Sequence, residues 1–584
     1  MNKHCLNRTL TAVIFLFVLS PGAMAQNYEF PLLERIVTIS AENKTVESIL
    51  DDISRQAGII FSYNPDIINA YKLVTYKAEN KSVRFVLSDI LDNSVTFREM
   101  GKYVILQSEA GFKEKLVLEG YLYDSRTGER ISNASIYDRR LMKSAVTDSY
   151  GYFSIELSPL SDSTSFQICK TGYADTSIVK TAYNKNNRLI ELVMNKIDPD
   201  ADSSRSKRPI RVPSWLVPRN IWANSVNIRE SWSRAVQLSL VPGLGTNKLM
   251  GGNIENQFSL NIIGGYTGSV DILELGGVFN IVQEDAGYCQ AGGVCNFVGE
   301  TSKGVQIAGI YNSASNVKGT QVSGVINVSK GSSDVQISGI ANKSHDSRIQ
   351  LTGIANFAKR SADLQVSGLL NNADSALVQV SGLVNRAGYS KFLQVGLVNL
   401  SDTSSGVNVG LINYSKKADG VNIGLINLVK NGYHKLEFSA DEILSFNLAF
   451  RGGTKTFHSI ITTGIRPFGD KSGTWGTGYG FGTSLGKSDK TSWDIEATST
   501  ELFYHKGLIS DCQLYRLYAG IDRKTSGNFS VAAGITLNYL VVKWYTTFDY
   551  VYESLPPYSI HLAEDGDFHK YDSWVGARVA LRFF

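Results

Sequence analysis

The stretch that decides the fold is "LQVSGLLNNADSALVQVSGLVNRAG", residues 364–388, in which one short pattern occurs twice. A tetrad of Gly, two mostly apolar residues and Asn recurs at intervals of fourteen to sixteen residues. Its Asn residues stand at 280, 296, 312, 327, 342, 356, 371, 385, 399, 413 and 427. The period is short and the core has no helical face, which predicts one strand of about ten residues and a turn of about four or five in each copy.

The repeated cores predict strands with one polar and one apolar face, because strand side chains alternate between faces. In one copy Gln321, Ser323 and Asn327 share a face, while Val322 and Ile326 share the other. The charged residues of the repeats fall between the cores. We expect a polar ladder that lines a lumen, formed by Gln306, Gln321, Ser323, Asn327, Gln336, Ser338, Asn342, Gln350, Asn356, Gln365, Ser367, Asn371, Gln379, Ser381 and Asn385.

The repeat changes at Gln394, where "QVSGLVN" becomes "QVGLVN" and the core loses one residue. Since a shift of one residue exchanges the two faces of a strand, Asn399 is expected on the opposite face unless a bulge compensates. Two architectures accommodate such repeats: a membrane β-barrel with a polar lumen, and a β-solenoid with stacked polar ladders.

The C-terminal region favours the barrel. Residues 434–584 drop the repeat but keep long amphipathic segments with aromatic ends, and the chain finishes on Phe584. These features are typical of outer-membrane strands. We therefore predict a mainly β, multidomain chain in which residues 233–584 form one large antiparallel transmembrane β-barrel of about twenty strands, with the repeats at about 277–427; the alternative is a β-solenoid. Through "Gln237-Leu-Ser-Leu-Val-Pro-Gly-Leu-Gly", the Gly-x-x-Asn repeats and "Gly432-Tyr-His-Lys-Leu-Glu", the region resembles a glycine-rich family of uncharacterised outer-membrane barrels.

The first 25 residues are typical of an export signal. Lys3 and Arg8 precede the apolar run "LTAVIFLFVL", and the small residues Ala23 and Ala25 follow it. No later stretch offers eighteen consecutive apolar residues. We expect an exported chain that meets a membrane, if at all, with strands.

Residues 30–108 predict a small α+β domain built from a duplicated half. A strand and an amphipathic helix follow each other twice, around "AENKTVESIL" and "AENKSVRFVL". Together with the strand "Gly58-Ile-Ile-Phe-Ser-Tyr63", this pattern resembles the secretin and TonB N-terminal domain. The resemblance implies a periplasmic adaptor that contacts an inner-membrane regulator.

Residues 115–195 alternate like the strands of a β-sandwich. Asp124, "Thr127-Gly128-Glu129", "Asn133-Ala134-Ser135-Ile136", "Thr147-Asp148-Ser149-Tyr150-Gly151-Tyr152-Phe153" and "Gly172-Tyr173" resemble a carboxypeptidase-regulatory-like domain. The segment contains no His, so no peptidase metal site is expected. Residues 196–232 predict a linker because 196–218 crowd Pro, Ser and both signs of charge.

No catalytic or cofactor site is expected. "Gly482-Thr-Ser484-Leu-Gly486" matches the nucleophile-elbow pattern but stands in an alternating strand segment. His561 and His569 with Glu564, Asp565 and Asp567 predict a solvated acidic loop, with a cation site as the alternative. Cys289 and Cys295 either pair or serve as small strand residues, and no Cys/His spacing suggests zinc. A net charge of +4 is too small to indicate nucleic-acid binding.

Three functions remain open at this point. The first is an outer-membrane barrel with residues 26–232 in the periplasm, which resembles a TonB-dependent transducer without its plug, because 196–232 is too short to fold as one. Its expected partners are outer-membrane lipid, the barrel-assembly machinery and an inner-membrane regulator. The second is a passive pore for polar solutes, and the third is a repeat-based surface adhesin. An enzyme is not expected.

Overall fold

The structure is a computed structural model that describes residues 31–91, 95–108, 117–156, 163–181, 189–197, 212–468, 473–486, 490–504, 512–543, 555–565 and 569–583. The predicted export signal lies outside these residues. The chain divides into two compact units, Met1–Ser204 and Arg205–Phe584, which are treated separately below. Among the described residues, none of the helices has the length and apolar character needed to cross a membrane.

The first unit begins with a small α+β fold. Its elements are β1 Ile36–Thr45, α1 Val46–Ala57, β2 Ile60–Ser62, β3 Leu73–Ser82, α2 Val83–Ile90, β4 Val95–Met100 and β5 Tyr103–Ser108. Strands β1 and β3 pair antiparallel, and the other sheet has the order β2-β5-β4. The duplicated sequence gives duplicated helix starts: Thr45 and Ser82 each cap a helix by accepting a hydrogen bond from the backbone N–H three residues on.

The first unit continues with a two-sheet β-sandwich. Its strands are β6 Val117–Asp124, β7 Ser135–Asp138, β8 Lys143–Val146, β9 Tyr152–Glu156, β10 Ser163–Cys169, β11 Thr176–Thr181 and β12 Ile190–Met194. One sheet has the order β11-β10-β7-β8 and the other β12-β6-β9. Leu122, Ile136, Phe153 and Phe166 are buried between the sheets, as the alternating sequence requires.

The second unit starts inside the predicted linker 196–232. A 3-10 turn at Ser214–Leu216 and helix α3 Arg219–Asn227 precede the first strand. Ile221 of α3 is buried against Tyr266 and Ile281 of the strands that follow. Part of the segment expected to be a solvated tether therefore covers the end of the next domain, which satisfies the need of a repeat array for a cap.

The repeats form a parallel β-solenoid, not a barrel. Its strands are β13 Trp232–Val241, β14 Leu244–Gly245, β15 Ile254–Asn261, β16 Gly264–Thr267, β17 Ser269–Gly276, β18 Phe279–Val282, β19 Cys289–Gly292, β20 Cys295–Val298, β21 Thr301–Ser302, β22 Val305–Ala308, β23 Tyr311–Ala314, β24 Asn316–Ser323, β25 Ile326–Ser329, β26 Ser332–Ser338, β27 Ala341–Thr352, β28 Ala355–Ser367, β29 Leu370–Ser381, β30 Val384–Val395, β31 Val398–Ser404, β32 Val407–Val409, β33 Ile412–Ala418, β34 Val421–Ile423 and β35 Ile426–Val429. Successive coils pair in parallel with equivalent residues opposite each other, such as Asn356 with Asn371 and Gln365 with Gln379.

This pairing corrects the prediction of one large antiparallel barrel and agrees with its alternative. An antiparallel hairpin of two copies reverses one of them, so that equivalent residues are no longer all opposite each other. Along most of the array a parallel coil places Gln on Gln and Asn on Asn, so that each of these amides finds a partner that both donates and accepts. The Gln and Asn columns of the repeats therefore gain continuous side-chain hydrogen bonds in the solenoid.

The remaining chain forms a closed antiparallel barrel of eight strands. The strands of this region are β36 Tyr433–Ala440, β37 Phe446–Gly453, β38 His458–Arg466, β39 Thr474–Leu485, β40 Thr491–Tyr504, β41 Cys512–Ser526, β42 Phe529–Lys543, β43 Ile560–Asp565 and β44 His569–Phe583. The ring closes between β44 and β36, while β43 is an extra strand beside β44. The antiparallel barrel expected from the aromatic segments thus exists, but it begins at Tyr433 and is much smaller than predicted.

The barrel has two rims. The proximal rim, where β35 leads into the barrel, is formed by Tyr433, Gly453, His458, Leu485, Thr491, Ser526, Phe529 and Phe583. The distal rim is formed by Ala440, Phe446, Arg466, Thr474, Tyr504, Cys512, Lys543 and His569. Connections at the proximal rim have two to five residues (454–457, 486–490 and 527–528). Those at the distal rim have five to seven (441–445, 467–473 and 505–511), and the segment 544–568, which contains β43, has 25.

Candidate functional site

The structure places all fifteen residues of the predicted polar ladder inside the solenoid, where they are buried. They form columns along the solenoid axis and do not line a barrel lumen. The Gln column holds Gln306, Gln321, Gln336, Gln350, Gln365 and Gln379; the Asn column holds Asn327, Asn342, Asn356, Asn371 and Asn385; the Ser column holds Ser323, Ser338, Ser367 and Ser381. In each coil the Gln, Ser and Asn side chains share one buried face, which is turned to the interior of the solenoid.

The Gln column is a chain of hydrogen bonds with one direction. Each Gln donates from Nε2 to Oε1 of the Gln one coil earlier, as Gln365 does to Gln350 at 2.7 Å. The chain ends at Glu274, whose Oε2 accepts from Gln290 at 2.8 Å. A carboxylate only accepts, so it suits the end of a column at which every amide donates toward it.

The Glu274 carboxylate is fully buried and accepts hydrogen bonds at both of its oxygens. Its Oε1 accepts from Asn261 Nδ2 at 3.0 Å and from Ser259 Oγ at 3.1 Å. Burial raises the pKa of Glu274 to about 7, although these hydrogen bonds and that from Gln290 act in the opposite direction. The group therefore changes charge near neutral pH inside an otherwise uncharged column.

The Asn column runs in the opposite direction. Each Asn donates from Nδ2 to Oδ1 of the Asn one coil later, as Asn356 does to Asn371 at 3.0 Å. Asn356 Nδ2 also donates to the backbone carbonyls of Val366 and Gln350. Because a backbone carbonyl only accepts, these contacts determine which atom of the amide is the nitrogen. The solenoid thus contains two antiparallel amide columns, which is a strongly directional arrangement.

The change of repeat at Gln394 interrupts the Gln column. Gln394 donates back to Gln379 at 2.7 Å, but the next residue of the column, Asn408, donates forward to Asn422. Gln394 Oε1 is left buried without a partner. Asn399 nevertheless stays in its column, since it accepts from Asn385 at 2.9 Å. The expectation that it changes face was wrong because the lost residue is the Ser that ends the preceding strand, as Ser381 ends β29. The strand is shortened at its end, and β31 still begins in register with β30.

The barrel encloses a second polar interior, which sequence analysis missed. Its inward side chains include Glu437 on β36, Arg451 on β37, Glu496 on β40 and Arg582 on β44. Arg451 forms a two-point contact with Glu496, with distances of 2.7 and 2.8 Å, and its Nη2 lies 2.9 Å from Glu437 Oε2. Arg582 Nε lies 2.6 Å from Glu437 Oε2, and Arg582 Nη2 lies 3.2 Å from Glu496 Oε1.

Three further residues complete this cluster, which we call the barrel network. Arg578 pairs with Glu437, and Arg582 also pairs with Asp494 and Asp522. Four carboxylates and three guanidinium groups thereby meet in the barrel interior with almost no exposure. The available signal was the charge at alternate positions within amphipathic segments, as in "SWDIEATST" and "GARVALRFF".

The barrel interior is filled between the network and the distal rim. Arg516 pairs with Asp441 at 2.7 Å and donates to Asn538 at 2.8 Å. Beyond them, Leu444, Leu502, Cys512, Leu514, Leu540 and Trp574 form an apolar cluster. The cavity between Arg516 and Arg578 measures about 10 Å³, which is room for about one water molecule. In the part of the chain that the structure describes, the proximal end opens into a cavity of about 370 Å³ bordered by Lys435, Lys455, Lys490 and Lys524.

The outer surface of the barrel is apolar and carries aromatic groups near both rims. Exposed side chains such as Leu448, Leu517, Leu537 and Val575 occupy its middle. The distal group contains Trp475 stacked on Phe503 at 4.2 Å, and Tyr539 between Tyr515 and Tyr571. The proximal group contains Phe438, Phe529 and Phe583 in edge-to-face contact. The outer surface thus consists of an apolar middle between two aromatic bands.

The first unit has a buried joint between its two folds, which also escaped sequence analysis. Glu34 is 2% exposed and accepts from Tyr121 at 2.8 Å and from Arg84 at 3.0 Å, while Arg130 lies 3.3 Å away. Tyr121 and Arg130 belong to the sandwich, and Arg84 belongs to α2. Burial and the Glu34 carboxylate raise the pKa of the Tyr121 hydroxyl, which keeps it protonated and donating. The joint makes the small α+β fold and the sandwich one body.

The other candidate sites do not assemble. Ser484 lies inside β39, which connects to another strand, and not at the strand-to-helix turn that a nucleophile elbow requires. His561 contacts Asp572 at 3.2 Å, while the side chains of Glu564, Asp565 and Asp567 lie outside the described residues. Within the described ranges, no group of three or more His, Cys, Asp or Glu is arranged to hold a metal ion. Cys289 and Cys295 are unpaired.

No protein-family model matches the chain, and no curated protein or solved structure is significantly similar to it. Its function must therefore be inferred from the geometry described above. Three features carry information: the filled barrel with its apolar outer surface, the solenoid with its amide columns, and the joined pair of small folds.

Proposed function

We propose that this protein is an outer-membrane anchored scaffold, in which the eight-stranded barrel spans the membrane and the first unit serves as a periplasmic adaptor. The observation that carries the proposal is the inverted arrangement of the barrel, with ion pairs inside and aliphatic side chains between two aromatic bands outside. Lipid accommodates such an outer surface, whereas water does not. Strand closure also satisfies the backbone groups of the strand edges, as the hydrocarbon requires. The free edge of β44 pairs with β36 near the proximal rim and with β43 near the distal rim, and Glu442 accepts from the backbone N–H of Ala577 between them.

The connections support one orientation. Bacterial barrels have short periplasmic turns and longer extracellular loops. The short connections 454–457, 486–490 and 527–528 belong to the proximal rim, so that rim faces the periplasm in our proposal. The solenoid and the first unit precede the barrel at this rim and are thereby assigned to the periplasm. This orientation argues against a surface adhesin.

The filled interior argues against a passive pore. An eight-stranded barrel is just wide enough for side chains to fill it. Here the network of Arg451, Arg578, Arg582, Glu437 and Glu496 occupies the proximal half, and apolar side chains occupy the distal half. An interior of this kind anchors a protein without conducting solutes. The adaptor, which resembles the secretin and TonB N-terminal domain, would then present its exposed face to an inner-membrane regulator.

The first test concerns membrane insertion and topology. The chain is expressed with its own N-terminal segment, and outer membranes are analysed for a mobility shift between unheated and heated samples in mild detergent electrophoresis. One epitope is inserted in 467–473 and, in a separate variant, in 527–528. We expect a heat-dependent shift, antibody access to the first epitope on intact cells, and access to the second only after permeabilisation. A soluble chain without a shift would refute the anchor, and access to 527–528 on intact cells would favour the adhesin.

The second test concerns conductance. The purified chain is reconstituted in planar bilayers beside a porin as positive control. We expect no unitary conductance from the chain. Reproducible channel steps would favour the passive pore over the scaffold.

A further inference from the structure

The solenoid carries an exposed apolar ridge for which the proposed anchor gives no role. The ridge consists of the aliphatic residue that follows each corner glycine: Val278, Val294, Ile310, Val325, Ile340, Ile354, Leu369, Leu383, Leu397, Leu411 and Leu425. These side chains are 36–50% exposed, apart from the half-buried Val325. They stack because each corner glycine touches the one before it: a Cβ on Gly368 would lie 2.1 Å from Gly353 O. A continuous row of exposed Leu, Ile and Val is unusual on a surface that faces water, where such patches mark contact sites.

The ridge is separated from the charged surface of the solenoid. The cores that carry it, such as 379–385 and 394–399, contain no charged residue. Asp374, Asp402 and Lys416 lie on the other part of each coil, where they are exposed. Each coil therefore has a neutral aliphatic corner and a charged edge, and the two are repeated along the whole array.

The last coil shows where the ridge lies relative to the barrel. Tyr479 is in the middle of β39 and its hydroxyl donates to Gly424 O at 2.5 Å, beside Leu425. Gly452 is next to the proximal rim, and a Cβ there would lie 2.3 Å from Asn427 O. Strand β35 thus runs along the barrel wall from its middle toward the proximal rim, and the chain enters the barrel at that rim with Tyr433. The end of the ridge at Leu425 therefore lies beside the exposed apolar middle of the barrel's outer surface, which we call the apolar belt.

The dimensions of the ridge decide its orientation. Corner glycines recur eleven times from Gly277 to Gly424. At about 4.8 Å between strands, such a column is roughly 50 Å long, which exceeds the roughly 30 Å of a bilayer hydrocarbon core. A solenoid standing across the membrane would carry its ridge far into water. A solenoid lying in the membrane plane keeps the whole ridge at one depth.

We infer that the solenoid lies along the periplasmic leaflet of the outer membrane, with its ridge among the acyl chains and its charged edge in the periplasm. The inference rests on the proposed membrane anchor. The ridge continues the apolar belt of the barrel at the same height, and this continuity identifies lipid as the occupant. A second protein is a poorer fit, because protein interfaces are anchored by Trp, Tyr and Arg, whereas the ridge consists of Leu, Ile and Val.

Spin labels at single cysteines test this inference in the full chain. Cys5, Cys169, Cys289, Cys295 and Cys512 are first replaced by Ala, and the barrel's heat-dependent mobility shift is checked. Labels are then placed at Leu397 and Leu411 on the ridge, at Asp402 and Lys416 on the charged edge, and at Leu537 on the barrel wall. Collision rates with oxygen and with a water-soluble nickel complex are measured in vesicles of phosphatidylethanolamine and phosphatidylglycerol.

We expect the ridge labels to match Leu537, with an oxygen-to-nickel ratio several-fold above that of the edge labels. If Leu537 faces lipid but the ridge faces water, the inference is overturned and the anchor stands. If Leu537 also faces water, the anchor itself is refuted. Ridge labels shielded from both reagents would show that a protein, such as a second copy of this chain, covers the ridge, and would also overturn the inference.

A second measurement avoids the cysteine replacements. Leu397→Trp and Lys416→Trp are made separately in the native chain and reconstituted with lipids brominated on their acyl chains. We expect quenching beyond that of the unmodified chain for L397W and none for K416W. Equal quenching of the two variants would contradict the inference.

Discussion

The solenoid and the barrel both enclose polar side chains, yet one interior is neutral and the other is charged. In the solenoid every residue of a column faces its own equivalent one coil away, as Asn356 faces Asn371. Only a group that both donates and accepts can pair with itself, and a stacked charge would repel its neighbours. In the barrel, eight non-equivalent strands converge on one interior, so Arg582 meets Glu437, Glu496, Asp494 and Asp522. Parallel stacking of equivalent coils therefore favours an interior of self-pairing amides in this protein. The antiparallel barrel of non-equivalent strands allows an interior of ion pairs.

The largest expected effect is the loss of a charge from the barrel network. Arg582→Ala leaves Glu437, Asp494 and Asp522 without a shared partner, and removal of one partner of a buried ion pair costs about 3–5 kcal/mol. We expect the variant to unfold at a lower urea concentration than the unmodified chain. The folded fraction in outer-membrane vesicles is measured by the heat-dependent mobility shift. Arg523→Ala, at an exposed arginine of β41, is the control and should have little effect. Equal midpoints for the two variants would show that the network does not stabilise the barrel.

A charge introduced into the solenoid should be nearly as damaging. Asn356→Asp removes the donor that bonds Asn371, Val366 and Gln350 and places a carboxylate against their oxygens. We expect a loss of about 3 kcal/mol, because several buried acceptors lose their partner. Hydrogen exchange of segment 341–381 measures it. Asn372→Asp makes the same chemical change on the half-exposed face, and comparable exchange in both variants would refute the self-pairing argument.

Glu274 can be replaced by an uncharged side chain of the same size, which tests whether a charge at this end of the Gln column lowers stability. Its folded-state pKa of about 7 exceeds the usual value, so the protonated form stabilises the fold fully below about pH 4.5, and this contribution is lost as the pH rises toward 7. Glu274→Gln should therefore be neutral at low pH and stabilising above pH 7 by up to about 3 kcal/mol.

Hydrogen exchange of residues 254–298 at pH 5 and pH 8, corrected for the intrinsic rates, measures this difference. Glu255→Gln, on the neighbouring strand, serves as the control. A variant that exchanges faster than the unmodified chain at pH 8 would show that the column needs an anionic end.

The smallest effect is expected where a charge cluster is partly open to water. Glu34→Gln weakens the pairs with Arg84 and Arg130, whose side chains are 19% and 25% exposed. Solvent screens such pairs, so we expect a loss of about 1 kcal/mol, seen as faster exchange in 31–35 and 117–124. Glu42→Gln, at an exposed position, is the control. An effect as large as that of Arg582→Ala would mean that burial does not separate the two clusters.

Much of the fold could be predicted from local pattern. The strand period, the faces of Gln365 and Asn371, and the separate region of long amphipathic strands all follow from side-chain alternation. The large barrel was wrong because period-2 alternation is the same for parallel and antiparallel strands. The barrel network was missed because Asp494, Glu496 and Arg578 each look like an ordinary charged residue until closure brings their strands together. Gln394 Oε1 shows the same limit, since its missing partner depends on the coil that follows.

The sequence by itself determined which residues share a face, where each coil turns, and where the repeats end, because these depend on neighbours along the chain. Only the tertiary structure decided which neighbour each strand pairs with, and hence that Gln stacks on Gln while Arg451 and Arg582 meet Glu437. It also decided that the aliphatic corners align into one ridge at the height of the barrel's belt. Such choices depend on hydrogen bonds and charges between residues far apart in the chain, and local periodicity carries no record of them.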